Sequence, residues 1–387
     1  MRRSSALPLE FVRSVGIADE SVFLLRQGAE GIIAPADDTL EPSIGESEEV
    51  DFTVDLPPCY EEMLEDYAKE VEWWQSIGQR FDEMVAPPLI KRAAAVVTDV
   101  DPLIKTKWNQ TNPWNQNLKF DGKSCYVGCV PLSIGQLLYY WAQKGYRRGC
   151  MASEPYKTKT NLYEVAAMEP VTVFEYGKMV LGKPTTAEAK KAVADMLEHV
   201  GKAIHADYKP TSTGVNYKDY EQRLMTVFRL GDNIRPIYAS KLGLATFCEQ
   251  VRKELESGRP VMMTGCNSSN TAAHSFLCDG YRSSDDKFHY NWGWGGPYNG
   301  YFKMGALKPT SSINYSYYKR AYVGINPAYK LGDANRDGQV DISDVLEAVD
   351  HTVKGTFSEA ADVNSDGKVA IDDAATIVDN ILGKTQL

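Results

Sequence analysis

Gly128-Cys129-Val130-Pro131-Leu132-Ser133-Ile134-Gly135-Gln136-Leu137-Leu138-Tyr139-Tyr140-Trp141 sets the reading of the whole chain. The apolar run after Cys129 is long enough for a helix, and Pro131 suits its first turn, where the missing N–H would have no helical partner anyway. That spacing puts Cys129 at the helix N-terminus. There the dipole and the exposed backbone N–H groups favour thiolate over thiol, which a nucleophile working near neutral pH requires. A lone cysteine is more often a small buried hydrophobe. The catalytic reading therefore depends on finding a base and an oxyanion donor elsewhere in the 387 residues.

Five histidines are available as the base. His274 lies in Ala272-Ala273-His274-Ser275-Phe276-Leu277-Cys278-Asp279-Gly280, a strand-like run ended by Asp-Gly. His289 lies in Phe288-His289-Tyr290-Asn291-Trp292-Gly293-Trp294-Gly295-Gly296, which reads as the next strand and a glycine-rich turn. A satisfied core histidine is the ordinary reading of each. A strand histidine beside a second strand bearing Asn291 and Trp292 also meets the need of a Cys-His-Asn arrangement for a group that orients and shields the imidazole. Upstream, Trp-Asn-Gln occurs twice, ending at Gln110 and Gln116, and either side chain can supply an N–H to a developing oxyanion beside the N–H of Cys129.

Taken in order, Gln110-Thr-Asn-Pro-Trp-Asn115, Gly128-Cys129-Val130, His274-Ser-Phe-Leu-Cys-Asp-Gly280, Asn291-Trp-Gly-Trp-Gly-Gly296 and Gly300-Tyr-Phe302 resemble the signatures of the streptopain (interpain-like) family of papain-fold cysteine peptidases. The resemblance covers about residues 95–327, with His274 145 positions after Cys129. It implies an α+β, papain-like catalytic fold of two subdomains over 98–328. It also implies Cys129 as nucleophile, His274 as general base and acid, Gln110 as oxyanion donor, and Asn291 and Trp292 as supports of the imidazole, with His289 structural. Asp207-Tyr208 to Gly214 resembles the family's substrate loop, with Lys209 where glycine is usual.

The formal charge of −10 argues against nucleic acid as a partner, but it is unevenly spread. Residues 1–85 carry six basic and 20 acidic side chains, 86–330 carry 32 and 20, and 331–387 carry four and 12. In the head, Tyr60, Leu64, Tyr67, Val71, Trp74 and Phe81 recur at helical spacing after Leu56-Pro57-Pro58, and the other face is mostly Glu. Short apolar runs over 21–55 suggest strands. The family resemblance implies that 1–85 is an inhibitory α+β prodomain, a partner of the basic block beside it, and that 86–97 is the processing linker, where Lys91-Arg92 lies.

The tail repeats itself at an offset of 29 residues. Asp333, Asn335, Asp337, Gln339 and Asp344 match Asp362, Asn364, Asp366, Lys368 and Asp373 at loop positions 1, 3, 5, 7 and 12, with glycine at 6. Oxygen donors at this spacing, position 7 acting through its main-chain carbonyl, are what Ca²⁺ requires, so two ions are expected. Each loop precedes an apolar helix, and the duplicated unit resembles a type I dockerin, which implies a small all-α calcium-binding module over 331–387 that docks to a cohesin-type module.

Seven scattered cysteines with no paired metal spacing suggest no disulfide framework, and no apolar run reaches the length of a membrane span. The expected protein is a secreted or surface-associated cysteine endopeptidase, made as a zymogen, acting on proteins or peptides without a catalytic cofactor. No signal segment is visible, and the chain is expected to begin downstream of one. The alternative is a catalytically silent adhesion or scaffold component acting through the dockerin.

Overall fold

The structure, a computed structural model, describes residues 8–16, 21–37, 42–77, 98–215, 217–231, 233–266, 273–304, 320–327, 329–335, 339–364 and 366–387. The expected linker, 86–97, lies outside the described residues. The chain forms two compact units, Met1–Leu103 with Pro236–Val323, and Ile104–Arg235 with Gly324–Leu387. This division cuts across the boundaries suggested by composition. The head shares a unit with the C-terminal half of the catalytic stretch, and the tail shares one with its N-terminal half.

The head supplies β1 (Glu10–Val15), β2 (Val22–Gln27), β3 (Glu30–Pro35), β4 (Gly45–Ser47) and α1 (Pro58–Ile77). Gly28 at φ 67° turns the β2–β3 hairpin, a conformation that glycine adopts without strain. The helical spacing read from the sequence holds as far as Val71, since Tyr60, Leu64, Tyr67 and Val71 are all buried along α1; the Trp74 side chain and Phe81 lie outside what is described.

Residues of the second unit follow. Two small hairpins pair β5 (Lys119–Phe120) with β6 (Lys123–Ser124) and β7 (Tyr156–Lys157) with β8 (Glu164–Val165), around α2 (Cys129–Gln143), α3 (Ala187–Ala203) and α4 (Tyr217–Thr226). Helix α2 is buried from Val130 to Ala142. It approaches α3 closely because Gly135 has no side chain: a Cβ there would lie 2.6 Å from Leu197 Cδ2.

The chain then returns to the first unit with β9 (Arg235–Tyr238), α5 (Ala239–Leu242), α6 (Leu244–Glu256), β10 (Val261–Cys266), β11 (Ala273–Arg282), β12 (Lys287–Asn291), β13 (Gly300–Phe302) and β14 (Arg320–Val323). All its strands join one ten-stranded sheet, ordered β1-β2-β3-β4-β13-β12-β11-β10-β14-β9. The seam between head and catalytic stretch is the antiparallel pair β4–β13, with Gly300 opposite Ser47, Tyr301 opposite Glu46 and Phe302 opposite Gly45. A Cβ on Gly300 would sit 1.9 Å from the Glu46 carbonyl oxygen, so only glycine admits β4 at this edge. One hydrophobic core spans the seam, from Val22, Leu24 and Ile33 through Tyr60 and Tyr67 to Phe302, Phe247 and Val251.

In the tail, α7 (Ile342–Lys354) and α8 (Ile371–Ile381) enclose a separate core of Leu331, Ala348, Val363, Ala374 and Ile377. Within the second unit two arginines fasten this module. Arg229 donates to Asp362 Oδ2 at 3.2 Å and to the Glu359 and Asp362 carbonyls at 3.4 Å. Arg148 donates to the Tyr329 carbonyl and lies 4.8 Å from the Tyr329 ring centroid. Among the described residues no helix is long and apolar enough to cross a membrane.

Candidate active site

Cys129 is the first residue of α2, as its spacing predicts, and it is half-exposed at the end of an otherwise buried helix. The preceding Gly128 has φ 96° and ψ 145°, a left-handed value that a side chain would strain. A Cβ there would also lie 3.0 Å from the Thr213 carbonyl. Thr213 Oγ1 donates to the Tyr126 carbonyl at 2.6 Å, Lys209 N donates to Thr213 Oγ1 at 3.2 Å, and Tyr126 N donates to the Lys209 carbonyl at 3.1 Å. The 207–214 loop is thereby tied to the approach to Cys129, and Lys209 takes part through its backbone. Val127 N donates to the Gln110 carbonyl at 3.0 Å, which sets Gln110 beside the residues leading into the helix. Gln116 instead closes a local turn on the Pro113 carbonyl. Of the two glutamines left open by their spacing, Gln110 is the one whose carbonyl is bonded to the segment leading into α2.

In the first unit His274 sits on β11, opposite Gly265 of β10, and is buried. Its Nε2 donates to the Trp292 carbonyl at 2.9 Å, which fixes the tautomer and leaves Nδ1 as the acceptor. Trp294 stacks on the imidazole at 4.6 Å between centroids, and Trp292 lies nearly parallel to it at 6.3 Å. Burial in this aromatic setting pulls His274 down to about 4, against the raising effect of the Trp292 carbonyl, so the ring is neutral at neutral pH. Asn291 acts on the loop backbone: its Oδ1 accepts from Gly293 N at 3.2 Å, while Asn299 Oδ1 accepts from Trp292 N at 3.1 Å. Gly293, Gly295 and Gly296, with φ of 74°, 85° and 105°, make the turn that returns Trp294 over the histidine. Trp294 and Asn299 were not singled out by sequence reasoning. Trp294 stood in the quoted aromatic-glycine run, whereas nothing local marked Asn299.

His289, the other strand histidine, is engaged on both sides. Its Nδ1 meets Asp279 Oδ1 at 2.7 Å and its Nε2 meets Glu48 of the head at 3.2 Å. Burial opposes charge here, but Asp279 and Glu48 overcome it and raise His289 to about 9. A pKa raised by folding contributes stability that is complete below the unfolded value, near 6.5, and fades as pH rises through about 9. The melting temperature of the intact chain is thus expected to fall between about pH 7 and 9.5, and less so in Glu48→Gln. Equal falls in the two chains would refute this assignment.

The tail loops place Asp333, Asp344, Asp362 and Asp373 in buried positions. Asp362 accepts from Asp366 N at 3.1 Å and Gly367 N at 3.2 Å; Asp373 accepts from Val363 N at 3.0 Å, Asn364 N at 3.2 Å and Ala370 N at 2.8 Å. Asp344 does the same for the first loop through Asn335 N at 3.1 Å and Asp341 N at 2.8 Å. Gln339 and Lys368 are exposed, and Asp337 lies outside the described residues. Among the described residues no three His, Cys, Asp or Glu side chains form a metal-holding group by themselves.

A cysteine opening a buried helix and a histidine of fixed tautomer on an antiparallel sheet are the residue types of a thiol hydrolase. A family model, the peptidase C10 family, matches residues 108–302, half of the chain, and the chain belongs to that family. The thiol protease/hemagglutinin PrtT of Porphyromonas gingivalis is 25% identical over 350 residues, covering 84% of this chain and 39% of that protein. Streptopain of Streptococcus pyogenes is 26% identical over 243 residues, covering 57% and 60%. The chain therefore spans less than two thirds of the length of either relative. Among solved structures, a prointerpain A fragment of Prevotella intermedia shares the fold with a TM-score of 0.64 at 22% identity, over 82% of this chain and 98% of that one. Active interpain A of the same organism gives 0.52 at 25% identity, over 62% and 99%.

Proposed function

We propose that the chain is a cysteine endopeptidase made as an inactive precursor. The observation that carries this reading is Cys129 at the N-terminus of α2, set there by the left-handed Gly128, in a member of the peptidase C10 family. In the proposed reaction the Cys129 thiolate attacks a peptide carbonyl, and His274 takes up the thiol proton and delivers it to the leaving amine. The resulting acyl-enzyme is opened by a water that His274 deprotonates. Gln110 and the backbone N–H of Cys129 hold the oxyanion, Trp292 orients the imidazole through its carbonyl, and Asn291 keeps the loop that carries that carbonyl. The head serves as the inhibitory prodomain and 86–97 as the processing linker. An epoxide directed at thiols is expected to label Cys129 of the processed chain with 1:1 stoichiometry, read by peptide mass mapping. Absence of label at Cys129 would favour the silent adhesion or scaffold reading.

The tail is proposed to bind two Ca²⁺ and to dock a cohesin-type module, anchoring a secreted enzyme. Support comes from its donor set: the buried carboxylates at loop positions 1 and 12 and the amide oxygens at 3 suit a hard cation that offsets their repulsion. Exposed Ile342, Leu346, Ile371 and Leu382 offer apolar contact to a partner. EDTA is expected to lower the tail's melting transition in calorimetry, and an unchanged transition would end the calcium reading.

A further inference from the structure

The seam between the head and the catalytic strands is a row of charges beside a strand edge. Glu46 on β4 meets Arg282 and Lys287 at 2.8 Å each, and Glu48 meets His289 at 3.2 Å. The catalytic stretch holds these cations with carboxylates of its own, Asp285 on Arg282 and Lys287 at 2.7 and 3.1 Å, and Asp279 on His289 at 2.7 Å, with Asp99 bonded to the neighbouring Ser283. The side chains of Lys287 and His289 are only 2% exposed, where ion pairs are weakly screened and the choice of partner carboxylate counts. Two further carboxylates, Glu46 and Glu48, reach the same cations from the head. Its backbone arrives on the β13 edge, where Gly300 alone permits the approach. Two independent features thus select the same ligand: an extended strand, by main-chain pairing, and acids two positions apart, by charge.

Resting on the reading of the head as a removable inhibitor, we propose that the β13 edge with Arg282, Lys287 and His289 is a docking site for an extended Glu-x-Glu strand. In the intact chain Glu46-Ser47-Glu48 fills it, and after the linker is cut it holds the severed head as a separate chain. Cleavage of the linker and release of the head are then separate events.

The test uses the full-length chain with the recognition sequence of a specific protease inserted within 86–97. After cutting at neutral pH and low salt, size-exclusion chromatography is expected to show the wild-type head co-eluting with the remainder. In Glu46→Gln/Glu48→Gln and in Gly300→Ala the head separates, with retention weakened at least about tenfold. An excess of synthetic peptide covering residues 42–50 is expected to displace the wild-type head, whereas the same peptide with both acids as glutamine does not. The peptide arm needs no substitution in the chain, so misfolding cannot mimic it. Loss of the wild-type head on cutting, or equal displacement by both peptides, would overturn the docking site. Retention is read without any substrate, so a chain that releases its head and still cleaves no peptide would count against the peptidase reading alone.

Discussion

Cys129→Ala is expected to abolish peptide cleavage, with a loss on the order of 10⁶-fold that places any residue of activity at background. The fall is this large because no other group takes over the thiolate's attack, and the remaining parts of such a site act as a unit with it. The same substitution should leave the fold intact, since Cys129 is half-exposed and precedes the buried part of α2. It should also leave the precursor uncut. Incubated under reducing conditions at mildly acidic to neutral pH, the wild-type chain is expected to shorten within 84–100 by mass spectrometry, while Cys129→Ala keeps its full mass. Identical time courses for the two chains would remove the thiol from both roles.

Trp292→Ala has the largest expected effect on stability, about 3–5 kcal/mol for a fully buried tryptophan. Its ring is packed by Tyr60 of the head at 5.8 Å, Phe276 at 4.6 Å, Trp294 at 5.4 Å and Phe302 at 5.8 Å, so no neighbour can collapse into the space without disturbing the others. The carbonyl that accepts from His274 is backbone and survives the change, and the packed ring steadies it beside the bonds from Trp292 N to Asn299 and from Gly293 N to Asn291. Trp292→Phe should recover much of the stability. If the carbonyl orients the imidazole, both variants lower kcat more than they raise KM. A denaturant midpoint unchanged in Trp292→Ala, or an effect confined to KM, would contradict this role.

Much of the site could be read from local sequence because its parts are local devices. A glycine, a cysteine and a proline before an apolar run announce a helix start, and the alternation around His274 announces a strand. The choice between His274 and His289 was not local. Both lie on buried strands, and what separates them is His289's tie to Glu48, 241 residues away, a relation that no periodicity carries. Gln110 and Gln116 both follow Trp-Asn, and what sets Gln110 apart is the bond its carbonyl accepts from Val127, 17 positions on. The merging of head and catalytic strands was hidden for another reason. The joining strand, Gly45-Glu46-Ser47, is too short to show a pattern, and its fitness lies partly in an absent side chain at Gly300. The acidic character of the head was legible, and the seam gives it two particular addresses, Glu46 and Glu48.

The arginine fastening of the tail bears on how such an enzyme would work once attached to something. A module on a flexible leash lets its cargo sweep a sphere set by leash length. Here Arg229 and Arg148 clamp the module within the same compact unit as helix α2, so the tail is a bracket. If the tail docks as proposed, Cys129 would keep one bearing toward the docked partner, and cleavage would be confined to an arc in front of it.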